Sequence, residues 1–205
     1  MIGLPKSTEL NKLLPKKAIY AKFQMNAADK KKIDADISRI TIVNEVSPEN
    51  SNIPAGEKVK SFFVLHVLLK KKDFDRKNII TIAKLIPQSM LFMLEYENES
   101  ELAVYHTKLI ETQWSKTDEL LLELNGITLD KVWENIIIQI SGINVENGNT
   151  LDEQIAIDER KAKLQKEIER LEKRKWAENQ PKKKFVLYQQ IEKLQEELEK
   201  LGNMQ

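Results

Sequence analysis

Near its end the chain carries a narrow, regular stripe. Leu187, Ile191, Leu194, Leu198 and Leu201 step by 4, 3, 4 and 3, the seam rhythm of a coiled coil. Upstream, Ile157, Leu164 and Leu171 recur every seven residues, with Ile168 in the complementary register and Lys161 and Lys175 weakening the stripe. Between the two runs lies AENQPKKK, where Asn179 and Pro181 interrupt a helix. One helix cannot hide such a stripe alone. The two runs are therefore expected to fold back on each other as an antiparallel hairpin, with about 20 residues per arm and a reach of roughly 30 Å.

Before residue 148 the patterns are shorter and mixed. Ser7 is placed to cap a short helix carrying Leu10, Leu13 and Leu14, and KKAIYAKF reads as a strand. Residues 26–39 space Ile33, Ile37 and Ile40 as a helix does and run into the strand ITIVNEV. SPENSNIPAG is a loop. VKSFFVLHVLL is nearly all apolar, as a strand covered on both faces would be. Asp75 is expected to cap a helix that turns Ile79, Ile82, Ala83 and Ile86 inward before Pro87, and SMLFMLEY follows as a strand, which makes a right-handed parallel crossover. A turn at residues 98–100 leads into LAVYHTKLIET as an antiparallel partner, and DELLLEL reads as one more strand. After Asn125-Gly126, residues Leu129 to Ile140 form an amphipathic helix ended by Gly142, and NVENGNT is the linker. The fold class is mixed α/β. Residues 1–148 make a single mixed sheet of five to six strands with about three helices, and residues 149–205 a C-terminal coiled-coil hairpin.

Composition narrows the setting. Of 205 residues 41% are hydrophobic and 32% charged, with a net charge of +1, so bulk charge does not bind nucleic acid here. The chain has no cysteine, which excludes disulfides and thiolate chemistry and fits the reducing cytoplasm. No apolar run approaches the roughly 18 residues of a spanning helix, and the opening MIGLPKSTEL lacks the order of a secretory signal. A cytoplasmic protein without membrane attachment is the expectation.

Catalytic patterns are scarce. The two histidines, His66 and His106, fall in expected strands, and neither GxxxxGK[ST], GxGxxG nor GxSxG occurs. Asp73, Asp75, Lys77, Glu95 and Glu97 could gather as the carboxylates and lysine of a cation-dependent nuclease, although capping and solvation explain the same residues. No catalytic residue, cofactor or metal site is expected. Lysine runs at residues 16–17, 30–32 and 70–72 would make a phosphate-binding patch if they shared a face. The densest charge lies at the hairpin tip. From Arg170 to Lys184, seven cations stand against Glu172 and Glu178, with Trp176 among them. Arg174, Lys175, Trp176, Lys182, Lys183 and Lys184 are the candidate binding residues. They could meet phosphates and a base or an acidic protein surface. The alternative is a solvated turn in which Trp176 staples the hairpin end.

LPK at residues 4–6, LPKK at 14–17, KVKSFFVLHVLLK, LIPQSMLFMLEY and the charged hairpin together carry a resemblance. Along nearly its whole length the chain resembles a bacterial and archaeal family, domain of unknown function four-three-nine-one. That resemblance implies no reaction and no catalytic residues. It implies an accessory role beside helicases and DNA methyltransferases in restriction-like or antiphage loci. The expectation is a non-enzymatic adaptor docking on such a partner. Direct nucleic-acid binding through the tip and a metal-dependent nuclease are the alternatives, and homodimerisation through the hairpin is a further possibility.

Overall fold

The three runs richest in β-branched and aromatic residues become the long inner strands β2 (Ile37–Val46), β3 (Phe62–Leu69) and β4 (Ser89–Tyr96), because such side chains pack well on a pleated surface. The computed structural model describes residues 2–146 and 148–202; Asn147 of the expected linker and residues 203–205 of the expected hairpin lie outside them. Four further strands complete one mixed sheet: β1 (Glu9–Leu13), β5 (Glu99–Tyr105), β6 (Leu109–Glu111) and β7 (Ser115–Lys116). The order is β1-β2-β3-β4-β5-β6, with β7 also pairing on β5. Among the described strands only β3 and β4 run parallel. Helix α4 (Lys77–Leu85) connects them, as the strand–helix–strand pattern requires.

Helices α1 (Lys16–Lys22), α2 (Ala27–Asp36) and α4 cover one face. Ile19, Tyr20, Ile33, Ile79 and Ile82 pack there with Ile40, Leu65, Val67, Phe92 and Leu94. On the opposite face, Trp133 of α5 (Leu129–Ser141) meets Phe62 with ring centroids 5.2 Å apart. Cover on both sides explains the apolar run in β3. Asp36, buried at the end of α2, fixes the start of α4: its Oδ2 accepts from the Asp75 N–H at 2.9 Å and the Asn78 amide at 2.7 Å. Burial alone would raise this carboxyl, but Lys71 at 2.8 Å and those donors hold it below the ordinary value.

Two compact units result, residues 1–142 and 143–205. In the second, α6 (Leu151–Ala177) and α7 (Pro181–Gly202) pack as the expected hairpin, with arms of 27 and 22 residues. Ile168, Leu171, Leu187 and Ile191 form the seam, joined by partly buried Leu194 and Leu198. Thr150 opens α6 with a capping box closed by Glu153. Arg160 pairs with Glu197 across the helices.

Short elements depart from the pattern. Residues 9–13 are an edge strand, not a capped helix. Five residues between a 3-10 turn and Pro15 gain more from pairing with β2 than from one helical turn, and Leu13 stays 56% exposed. KKAIYAKF is helical rather than extended: Pro15 stands at its start, and Ile19, Tyr20 and Phe23 share the face turned to the core. The polar triplet His106-Thr107-Lys108 turns the expected single strand into β5 and β6. DELLLEL starts in a 3-10 turn and continues without regular structure outside the ladder, where the Gln139 side chain bonds Glu123 through both its N–H and its C=O. The loop SPENSNIPAG holds a four-residue helix, α3 (Pro48–Ser51). With β1, β6 and β7 counted, the sheet has seven strands instead of five or six.

One carboxylate fixes the loop before β3. Asp130 accepts from the Glu57 and Val59 N–H groups at 2.7 Å and from Lys58 at 3.1 Å. The Val59 bond first, then burial in opposition and the other two N–H groups, leaves its carboxyl below the ordinary range. Gly56 makes room for this, since a Cβ there would lie 2.1 Å from Asp130 Oδ1. Asp130→Ala leaves the part-buried Val59 N–H without its acceptor and is expected to lower unfolding free energy by about 1 kcal/mol, read from the urea midpoint at unchanged slope.

Candidate functional site

The apex of the hairpin is where the sequence-derived residues meet. Helix α6 ends at Ala177, with Arg174 and Lys175 in its last turn, where cations favour the helix dipole. Residues 178–180 make the bend, and Glu178 Oε1 accepts from the Gln180 N–H at 2.9 Å. Pro181 then opens α7, a position that suits its missing N–H and fixed φ. Lys182, Lys183 and Lys184 fill the first turn of α7, which holds no acidic residue. Cations at a helix amino terminus oppose the dipole they sit on. The three lysines therefore stand where helix stability disfavours them.

Trp176 does not staple the hairpin; it is 81% exposed. Phe185, Val186 and Tyr188, just past the lysines, are each more than half exposed. Of the FVLY run only Leu187 enters the seam. Lys175 Nζ sits 5.8 Å from the centre of the Tyr188 ring, which ties the ends of the two helices together. A shallow groove of about 330 Å³ runs along Arg174, Glu178, Lys182, Lys183, Val186, Leu187 and Gln190. All six candidate residues thus lie within the final turns around one bend. The exposed Phe185, Val186 and Tyr188 were missed in the sequence; the signal was there, since with Leu187 in a seam whose next position is Ile191, the other three of the FVLY run fall outside the stripe.

The other candidates separate. Lys16, Lys70 and Lys71, from two of the lysine runs, converge on the end of α2. There Lys16 Nζ lies 2.6 Å from Asp34, Lys70 donates to the Asp34 carbonyl, and Lys71 meets Asp36. The cations of that patch are already matched. Among the carboxylates considered for a nuclease, Asp75 Oδ1 accepts from the Lys77 N–H, and Glu95 Oε2 lies 2.7 Å from His66 Nε2 beside a broad basin on the sheet. Among the described residues no three or more His, Asp or Glu side chains are grouped to hold a metal ion.

One titratable cluster stands out. Arg76 is shared between Glu101, at 3.5 Å, and Glu111, at 3.3 Å, and packs its guanidinium over Phe74 at 4.5 Å. Glu101 is 2% exposed. Burial, with Glu111 beside it, pushes its carboxyl up to about 7. One guanidinium cannot fully neutralise two carboxylates, so the more buried one holds its proton to a higher pH.

The family described as Domain of unknown function (DUF4391) matches residues 2–198, and the chain belongs to it. No curated protein and no solved structure matches the chain. Among the described residues no helix is long and apolar enough to cross a membrane.

Glu101 gives the fold a pH dependence of defined sign. The folded form keeps this proton up to about pH 7, whereas the unfolded form releases it near the ordinary 4.5. Between those values the folded state binds more protons, so this group's contribution to stability falls as pH rises and levels off above 7. Melting curves of wild type and Glu101→Gln across pH 4 to 8 are expected to diverge, with the variant gaining relative to wild type up to about pH 7 and holding a constant lead beyond.

Proposed function

We propose that this member of the family is a non-catalytic accessory protein and that the apex of its arm holds a partner with a negatively charged surface, a DNA-processing protein in a cytoplasmic defence setting. The observation that carries the reading is the pairing, in one bend, of three lysines placed against the dipole of α7 with four exposed apolar side chains, Trp176, Phe185, Val186 and Tyr188. Cations at a helix amino terminus add to the partial positive charge of its free N–H groups, and an incoming anion would be met by both. Trp, Tyr and Arg are the residue types that dominate binding energy at protein interfaces, and they are ordinarily not left in water without a use. The partner's class is what the resemblance to this family implies by association, its members looking like companions of helicases and methyltransferases.

A second reading has its own support. Aromatic rings interleaved with lysines are what single-stranded nucleic acid needs, with bases stacking and phosphates paired.

Immobilised full-length chain in host extract separates the two. Lys182→Glu with Lys183→Glu and Lys184→Glu, correctly folded by circular dichroism, is expected to lose the protein partner that the wild type retains. Retention that survives nuclease treatment of the extract supports the protein partner. Retention that nuclease abolishes, together with gel-shift affinity falling roughly 50-fold between 50 and 200 mM salt for about four phosphate contacts, supports the nucleic acid. Equal retention by wild type and the charge-reversed chain removes both.

A further inference from the structure

A second site lies in the body, at the end of the sheet where β3 and β4 begin. A cleft of about 570 Å³ opens there, of the size that small-molecule ligands occupy. Its charged lining is cationic: Lys58 and Lys60 stand on the loop that Asp130 clamps, and no carboxylate lines the cleft. His106 adds a third nitrogen group. The carboxyl end of α4 contributes Ala83 and Pro87, and Lys84 in its last turn offsets the partial negative charge of that end while packing over the Tyr105 ring at 5.3 Å.

The neutral donors point the same way. Ser61 and Ser89, at the mouths of the two parallel strands, are half-buried, and neither hydroxyl bonds another described residue. The same holds for the Trp133 indole N–H, while the Lys58 side chain is exposed at the rim. None of these donors is held by the protein, and all border the open cleft, so a ligand entering it meets them uncommitted. Trp133 and Tyr105, both half-buried, give the cleft aromatic surface on which a planar ring can lie. Lys60 Nζ donates to the Gly56 carbonyl at 2.7 Å and is thereby held in place.

We infer that this cleft binds a nucleoside phosphate, with the phosphate among Lys58, Lys60, Ser61 and Ser89 and the base against Trp133 and Tyr105. A free mononucleotide and the 5′-phosphorylated end of a nucleic-acid strand offer the same chemistry. The inference stands on the body alone and survives any outcome at the apex.

The test is an NMR titration of the full-length protein with AMP, in parallel with adenosine, inorganic phosphate and a 5′-phosphorylated trinucleotide. The chain has three indole N–H signals, from Trp114, Trp133 and Trp176. AMP is expected to move the Trp133 signal and leave the others in place, with affinity at least about tenfold above adenosine or phosphate alone; each tenfold step corresponds to about 1.4 kcal/mol. Tighter binding of the trinucleotide than of AMP assigns the strand end as the source, and the reverse order assigns the free nucleotide. Lys58→Glu with Lys60→Glu is expected to weaken AMP at least tenfold. A Trp133 signal unmoved at millimolar AMP, or AMP binding unaffected by the charge reversal, overturns the site. Should the double variant fail to fold, the wild-type indole titration decides by itself.

Discussion

A hairpin of two helices buries only the stripe where they touch, and that limit shapes the arm. Ile168, Leu171, Leu187 and Ile191 supply a seam one side chain wide on each helix. Apart from a few further apolar positions such as Leu164, Leu194 and Leu198, the rest of the two helices is dominated by Lys, Glu, Arg and Gln. In such an element an exposed aromatic has no packing reason to be present. Four large apolar side chains nevertheless stay open at the bend, beside Arg174, Lys175, Lys182, Lys183 and Lys184.

The electrostatics of the bend are divided. Arg174 and Lys175 stand at the carboxyl end of α6, where helix and charge agree; Lys182 to Lys184 stand at the amino end of α7, where they do not. The first pair is explained by the fold alone. The second group is not, and an anion bound at the apex would turn its cost into a gain. The body shows the contrasting case, in which Lys16, Lys70 and Lys71 are matched by groups of Asp34 and Asp36 and support the packing of α2 and α4.

Long, strongly periodic segments were legible in the sequence. The seam from Leu187 to Leu198, the β3–α4–β4 unit and α5 with its Gly142 cap, at φ +65°, all follow from spacing and end signals. Short segments were not, because tertiary pairing decides them. Leu10 and Leu13 have helical spacing, yet their backbone completes the edge of the sheet. The apex residues were legible as charges, since a lysine run needs no coordinates. The exposure of Phe185 and Tyr188 was legible too, since Leu187 sets the register of the seam, but it was passed over because an apolar residue reads first as core. The cleft at the start of β3 and β4 was hidden for a different reason: its lining comes from the 56–61 loop, α4, the β5–β6 turn and α5, which adjoin only in the fold.

The central claim is that the apex lysines serve a bound anion and not the fold. Calorimetric unfolding at low ionic strength, comparing the full-length wild type with the chain carrying Lys182→Glu, Lys183→Glu and Lys184→Glu, tests it most directly. Acidic groups at the amino end of α7 favour the helix by about 0.3–1 kcal/mol each, so the account predicts a melting temperature equal to or above that of the wild type. A fall of several degrees would show that the lysines hold the hairpin together, and would contradict it.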